Sequence, residues 1–349
     1  MAEAKIPLDV ADATPEWLSA ALGAAVDAVT VLDAHSGTTG RARLGVEYAD
    51  GASGPASVFL KLAPFDERQR RFVDAVGLGV AEARFYRDVG AEVPIRIPAV
   101  HHAEIDDDGH FVMVLEDLEA PGLRFPSPDD PDAADVVAAI IESLGRLHAR
   151  YWGDPRLDGE LHWVTEGWRV GFEGAGPFIG KALDRFGDEM GPTFRRLGEL
   201  YVERAPDIAA LLGAGPPTLI HGDPHLGNLF MDGPTAGFFD WGMVWRATGV
   251  RDFAYVLGNS TRTEVRRAHE EELLRIYLHV LAASGIDLGF DEAWRQYRLL
   301  VIYAWNSATS TAAMGSRWQT EEVGHSGMTH ATQAVEDLES VSLLEDLLG

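Results

Sequence analysis

The pattern of apolar and polar positions divides the chain into a strand-rich beginning and a longer helical remainder. Val26 to Ala34 and Leu44 to Tyr48 read as strands around the turn His35 to Arg41, and Ala56 to Ala63 reads as a third strand. Two more, Ile97 to Glu104 and His110 to Glu116, flank Asp106-Asp-Asp-Gly109, where the Asp-Gly pair is a strong hairpin signal. That acidic run is too compact for an EF-hand loop, so it reads as a turn. Thr14, Pro15 and Glu16 supply an N-cap, an N1 proline and an early acid, so a short helix is expected over residues 14–23. Val73 to Gly90 carries an apolar stripe at helical spacing. Five strands and that helix make a small N-terminal unit.

Pro121 to Pro131 holds prolines at 121, 126, 128 and 131 and reads as a linker. Beyond it, Ala133 to Tyr151 places Val137, Ile140, Ile141, Leu144 and Leu147 on one helical face. His148 lies on that face and reads as a core histidine before a ligand. Residues 152–215 show little pattern: Trp152, Trp163, Trp168 and Phe172 lie among glycines, and two helical stretches cover about Pro177 to Leu212. Glu264 to Ser284, Phe290 to Thr311 and Thr332 to Leu348 complete a helical set. The expected organisation is 1–118 as the first lobe, 119–131 as hinge and linker, and 132–349 as an α-rich second lobe.

A chain of 349 residues with 46% apolar content and nine tryptophans can bury sizeable cores. Its net charge is −26, from 55 acidic against 29 basic residues. Such a surface repels nucleic-acid phosphates and anionic membranes, so neither is an expected partner. A cationic substrate would be attracted, although solubility or salt adaptation accounts for the charge equally well. Cysteine is absent, which excludes disulfide and thiolate chemistry. With no signal-peptide pattern and no apolar run of about 18 residues, a cytoplasmic protein is expected.

The candidate chemistry lies in Leu219-Ile-His-Gly-Asp-Pro-His-Leu-Gly-Asn-Leu-Phe230 and, after a short turn, Gly237-Phe-Phe-Asp-Trp-Gly242. Apolar strand-like pieces flank a polar loop carrying Asp223 and Asn228, and Asp240 follows the second piece. Phosphoryl transfer needs one carboxylate at the attacking hydroxyl and hard oxygen ligands for Mg²⁺; Asp223 suits the first role, Asn228 and Asp240 the second. His221 and His225 mimic a zinc-ligand spacing, but Pro224 breaks the helix that spacing needs. Upstream, Lys61 interrupts an apolar strand in a chain with three lysines and 26 arginines, so its choice looks chemical. The turn holding Ser36, Gly37, Thr38 and Thr39 could lay backbone N–H groups over phosphates, without being a full Gly-x-Gly-x-x-Gly loop.

His221-Gly-Asp223, four residues, Asn228, then Asp240-Trp-Gly242 resembles the catalytic and metal-binding loops of kinases, and the His-Gly-Asp form resembles the aminoglycoside phosphotransferase and choline kinase superfamily. Asp-Trp after the hairpin is similar to its ecdysteroid-kinase-like branch. The resemblance implies an α+β, bilobal, protein-kinase-like fold with a five-stranded antiparallel N-lobe and a larger α-rich C-lobe. It implies ATP and Mg²⁺ as cofactors and a small-molecule hydroxyl as acceptor. By the same resemblance Lys61 meets the α and β phosphates and pairs with Glu82, with Glu92 and Glu67 as alternatives. Glu116 and Leu118 then hold adenine, Asp252 orders the catalytic loop through its backbone, and residues 152–215 shape the acceptor pocket. Arg246 reads either as a phosphate contact or as a structural arginine. A nucleotide-binding regulator without turnover is the rival reading, and the absence of an Ala-Pro-Glu segment argues against a protein kinase.

Overall fold

The computed structural model describes residues 5–37, 39–119, 122–165, 173–315 and 321–349. The chain forms two compact units, the first built mainly from Met1–Leu123 with Phe238–Val244 and the second from Arg124–Thr165, Val170–Gly237 and Trp245–Gly349.

The first unit is built on an antiparallel sheet of five strands, β1 (Val26–Ser36), β2 (Gly40–Tyr48), β3 (Ser57–Leu62), β4 (Val100–Ile105) and β5 (Phe111–Glu116), in the order β1-β2-β3-β5-β4. Successive side chains of a strand point to opposite faces. Leu60 and Leu62 therefore enter an apolar cluster with Leu44, Val58, Val112 and Val114, which α1 (Pro15–Leu22) covers with Trp17 and Leu18. Thr14 caps α1, its hydroxyl accepting from Trp17 N at 3.3 Å. Lys61 points to the opposite face of the sheet.

Where one helix is expected over Val73 to Gly90, the chain makes three helical pieces. Asp66 caps α2 (Glu67–Val76) by accepting from Arg68 N and Gln69 N. Gly77 then takes φ +73°, a conformation that suits a residue without Cβ and ends the helix. α3 (Leu78–Arg84) follows and passes into a π-helical turn, Phe85–Val89.

The second unit is helical. α4 (Ala133–Tyr151) buries Val136, Val137, Ile140, Ile141, Leu144 and Leu147 and packs on α7 (Thr263–Ala283). α5 (Gly176–Leu212) is interrupted at Gly191 and Arg204, beside Pro192 and Pro206, because proline removes a helical hydrogen bond. α8 (Phe290–Met314) buries side chains around its whole circumference, so it runs through the core and packs on α5 and on α6 (Val250–Tyr255). The last expected helix is two, α9 (Glu321–Asp337) and α10 (Ser340–Leu348), separated at Glu339 with φ +52°. Among the described residues no helix is long and apolar enough to cross a membrane.

Candidate active site

In the first unit, Lys61 and Glu82 form a buried ion pair, with Nζ at 2.7 and 2.6 Å from the two carboxylate oxygens. β3 supplies the lysine and α3 the glutamate. Burial pushes the Glu82 carboxyl up to about 7 against the opposing pull of Lys61. The alternative Glu67 instead pairs with Arg71 on the surface.

Asp240 Oδ1 lies 3.5 Å from the Lys61 ammonium. Its backbone sits at φ 63°, ψ 67°, a left-handed conformation that costs an L-residue roughly 1–2 kcal/mol. Neighbouring packing fixes it there. Trp241 stacks on Phe85 with centroids 3.8 Å apart and donates to Phe238 O at 3.3 Å, while Phe238 N donates to Arg96 O at 2.9 Å.

The turn between β1 and β2 is shorter than the sequence suggests, because the strands reach Ser36 and start again at Gly40. The Ser36 hydroxyl accepts from Phe65 N at 3.0 Å and reaches Gln69 at 3.4 Å, and Gly37 N donates to Thr39 O at 3.0 Å. These two expected phosphate contacts are therefore engaged inside the fold. Thr39 is buried, its hydroxyl without a hydrogen-bond partner among the described residues, and Thr38 lies outside them.

At the end of β5, Glu116 holds Arg96 at 2.7 and 2.8 Å, and its amide donates to Ala99 O at 2.8 Å. Asp117, which the sequence did not single out, is buried and accepts from Arg43 at 3.0 Å and Ser57 at 2.6 Å. Burial raises its carboxyl, but those hydrogen bonds outweigh burial and hold it below the usual range. Leu118, next in line, is half-buried.

In the second unit, the strand Thr218–Ile220 pairs antiparallel with Trp245–Ala247 and delivers the chain into the polar loop. Gly222 takes φ +83° between the fully buried His221 and Asp223. Asp252 on α6 accepts from His221 N at 2.7 Å and Gly222 N at 3.0 Å, and it meets His148 Nε2 at 3.3 Å. Burial raises the Asp252 carboxyl, yet its hydrogen bond to His148, the electrostatic influence of His148 and His221 and the Gly222 amide together lower it. His148 is thus a core residue whose other ring nitrogen meets Tyr277 Oη at 2.9 Å. His221 braces the loop, its Nδ1 accepting from Asp223 N at 3.3 Å.

Asn228 turns its amide nitrogen to Asp223, 3.0 Å from the carbonyl and 3.3 Å from Oδ2, which leaves its side-chain oxygen out of that contact. That oxygen and the Asp240 carboxylate are hard donors of the kind Mg²⁺ takes. Arg246 pairs with Asp158 at 3.2 Å.

Several groups around the loop carried no sequence signal. Tyr255 donates to Asp223 Oδ1, Tyr303 donates to Gly222 O at 2.5 Å, and Leu226 N donates to Ser260 Oγ at 3.3 Å. Burial, and then the charge of Asp223, push the Tyr255 hydroxyl well above its ordinary range, so it stays a donor.

Among solved structures, the chain is similar to the GDP complex of an aminoglycoside 2'-phosphotransferase-IIIa, at 14% identity over 89% of this chain and 93% of that one, with a TM-score of 0.52. It is also similar to a putative fructosamine-3-kinase from Haemophilus somnus 129PT, at 13% identity over 92% of this chain and 96% of that one, with a TM-score of 0.50. At such identities the likeness is one of fold, and the fold is kinase-like. No curated protein sequence matches the chain. The profile described as "Phosphotransferase enzyme family" matches residues 40–300, a span that takes in Lys61, Glu82, the loop at Asp223 and Asp240. A match over well more than half its length, on a fold of the same kind, means that the chain belongs to the phosphotransferase enzyme family.

Proposed function

We propose that the chain transfers the γ-phosphoryl group of ATP to a hydroxyl of a small molecule. The observation that carries this reading is the buried Lys61 ammonium, flanked by Glu82 and Asp240. A lysine only 4% exposed is costly to fold unless it is paired, and Glu82 pairs it. Held in that way, its charge is directed to the phosphates of a nucleotide. The Thr39 hydroxyl is a second phosphate donor in this reading. Backbone groups of Glu116 and Leu118 hold adenine, and at 116 the contact falls to the carbonyl because the amide is already engaged.

Asn228 Oδ1 and the Asp240 carboxylate are the groups that would hold Mg²⁺, which when bound neutralises charge on the phosphate oxygens. Asp223 orients the acceptor hydroxyl and takes its proton. The acceptor oxygen bonds to the γ-phosphorus, the bond from that phosphorus to the bridging oxygen breaks, and ADP leaves with the electron pair. Little base strength is needed for a loose transition state, so orientation is the main contribution of Asp223. Asp240-Trp241 supports a place in the ecdysteroid-kinase-like branch, and the net charge of −26 fits a cationic acceptor.

The test is a coupled ADP assay over aminoglycosides, amino alcohols, sugars and sterol alcohols. Acceptor-dependent ADP release that disappears in Asp223→Ala and on chelation of magnesium is expected. Nucleotide binding with no turnover on any hydroxyl compound would instead make the chain a regulator on a kinase scaffold.

A further inference from the structure

Asp223 has two carboxylate oxygens, and the structure treats them differently. Oδ1 receives the hydroxyl of Tyr255, a residue 2% exposed at the end of α6. Oδ2 faces the amide of Asn228 at 3.3 Å and the ring of His225 at 3.6 Å, on a side chain 28% exposed. One oxygen is thus held by a buried hydroxyl and the other lies among the loop's own side chains, beside a His225 that is 40% exposed.

Behind Tyr255 stands Ser307 of α8, with Oγ 3.1 Å from Tyr255 Oη. The tyrosine has one proton and spends it on Asp223, so Ser307 must donate to the tyrosine oxygen. The hydrogen bonds run in one direction, from Ser307 to Tyr255 to Asp223 Oδ1. One helical turn earlier on α8, Tyr303 packs its ring 5.3 Å from that of Tyr255 and donates to the carbonyl of Gly222, and the Arg251 guanidinium lies 3.8 Å over its face. Two tyrosines from two helices therefore hold consecutive residues of the loop, one by its backbone and one by its side chain.

We propose that Tyr255, supported by Ser307, is a positioning residue for phosphoryl transfer: it locks the Asp223 carboxylate so that Oδ2 alone is presented to the acceptor. This rests on the reading of Asp223 as the group that takes the acceptor's proton. Tyr255 acts through Asp223, keeps its own proton throughout, and touches neither nucleotide nor acceptor. Without it the carboxylate can rotate about its Cβ–Cγ bond, and misplacement of a reacting group on the scale of an ångström is enough to slow chemistry severely.

The test uses the full chain with MgATP and water as the acceptor, following phosphate release. Tyr255→Phe keeps the ring and removes the bond. It is expected to lower kcat about tenfold while leaving the KM for ATP within about twofold. In an Asp223→Ala background the same change adds nothing, because the two residues act as a unit. Ser307→Ala gives a smaller drop alone and none beside Tyr255→Phe. An unchanged kcat in Tyr255→Phe, an equal drop in the Asp223→Ala background, or a loss confined to KM would overturn the proposal. Proton NMR reads the pair without turnover. A low-field hydroxyl proton that vanishes in Tyr255→Phe and moves in Asp223→Asn supports it, and no such resonance in the wild-type chain sinks it. Phosphate release by the wild-type chain no faster than by Asp223→Ala counts against Asp223 as the base, and the NMR result still decides whether Tyr255 holds it.

Discussion

The two units hold their functional groups by opposite means. In the first, a side-chain cation is buried against a side-chain anion, Lys61 against Glu82, on two different elements. In the second, the carboxylate of Asp252 grips backbone amides, so the loop is fixed at His221 and Gly222 by groups every residue possesses. An ion pair demands two particular side chains, whereas a carboxylate on amides demands only one. The first arrangement is exacting about identity; the second is exacting about conformation. Gly222 shows the latter, since its φ of +83° is where a side chain brings strain.

The largest effect should come from removing the single anchor. Asp252→Ala strands two buried amides and the ring of His148, and it is expected to lose about 3–5 kcal/mol of unfolding free energy in urea titration. Next, Lys61→Met leaves the Glu82 carboxyl buried without its partner and should cost about 3 kcal/mol, while Lys61→Met with Glu82→Leu recovers much of that without recovering phosphoryl transfer. A double variant no more stable than the single one would show that the pair is not held as an isolated couple.

The pH dependence of stability should then separate the two regions by sign. Glu82 titrates at about 7 in the folded chain against 4.5 as a free side chain, so its contribution is complete below about 4.5 and is lost as pH rises to about 7. Asp252 is shifted the other way: its contribution is present above its ordinary value of 3.8 and disappears as pH falls through its lower folded value. Urea midpoints across this range should lose the first slope, on the order of 1–3 kcal/mol, in Glu82→Gln and the acid-side slope in Asp252→Asn. The smallest effect is expected from Gly222→Ala, about 1–2 kcal/mol from the left-handed backbone, read as a lower thermal midpoint.

Legibility from sequence follows the same division. The strands of the sheet, α4 and the polar loop stood out because alternation, helical spacing and turn chemistry are local properties. Lys61 was visible as a rare lysine in an apolar run, and Glu82 through a resemblance to other helices. Gly77 and Glu339 were passed over because an apolar stripe continues across both breaks, and periodicity carries no information about a single left-handed residue. Tyr303 and Ser307 read as ordinary positions of the helical stretch Phe290 to Thr311, and Tyr255 carried no signal. Tyr255 and Tyr303 reach the loop from 32 and 81 residues away along the chain, Ser307 reaches Tyr255 from 52, and nothing in local pattern records a hydrogen bond across such separations.

Tyr303 and Ser307 are one helical turn apart on α8, and Trp305 faces the other way, into Phe194 and Tyr201. A single helix therefore answers to two masters, the packing of the interior and the aim of the chemistry. Trimming Trp305 would loosen both neighbours at once, so repacking meant only to improve solubility or yield would be read out as altered catalysis. Engineering a new acceptor preference into this scaffold would do better to leave α8 untouched and vary segments that serve neither demand.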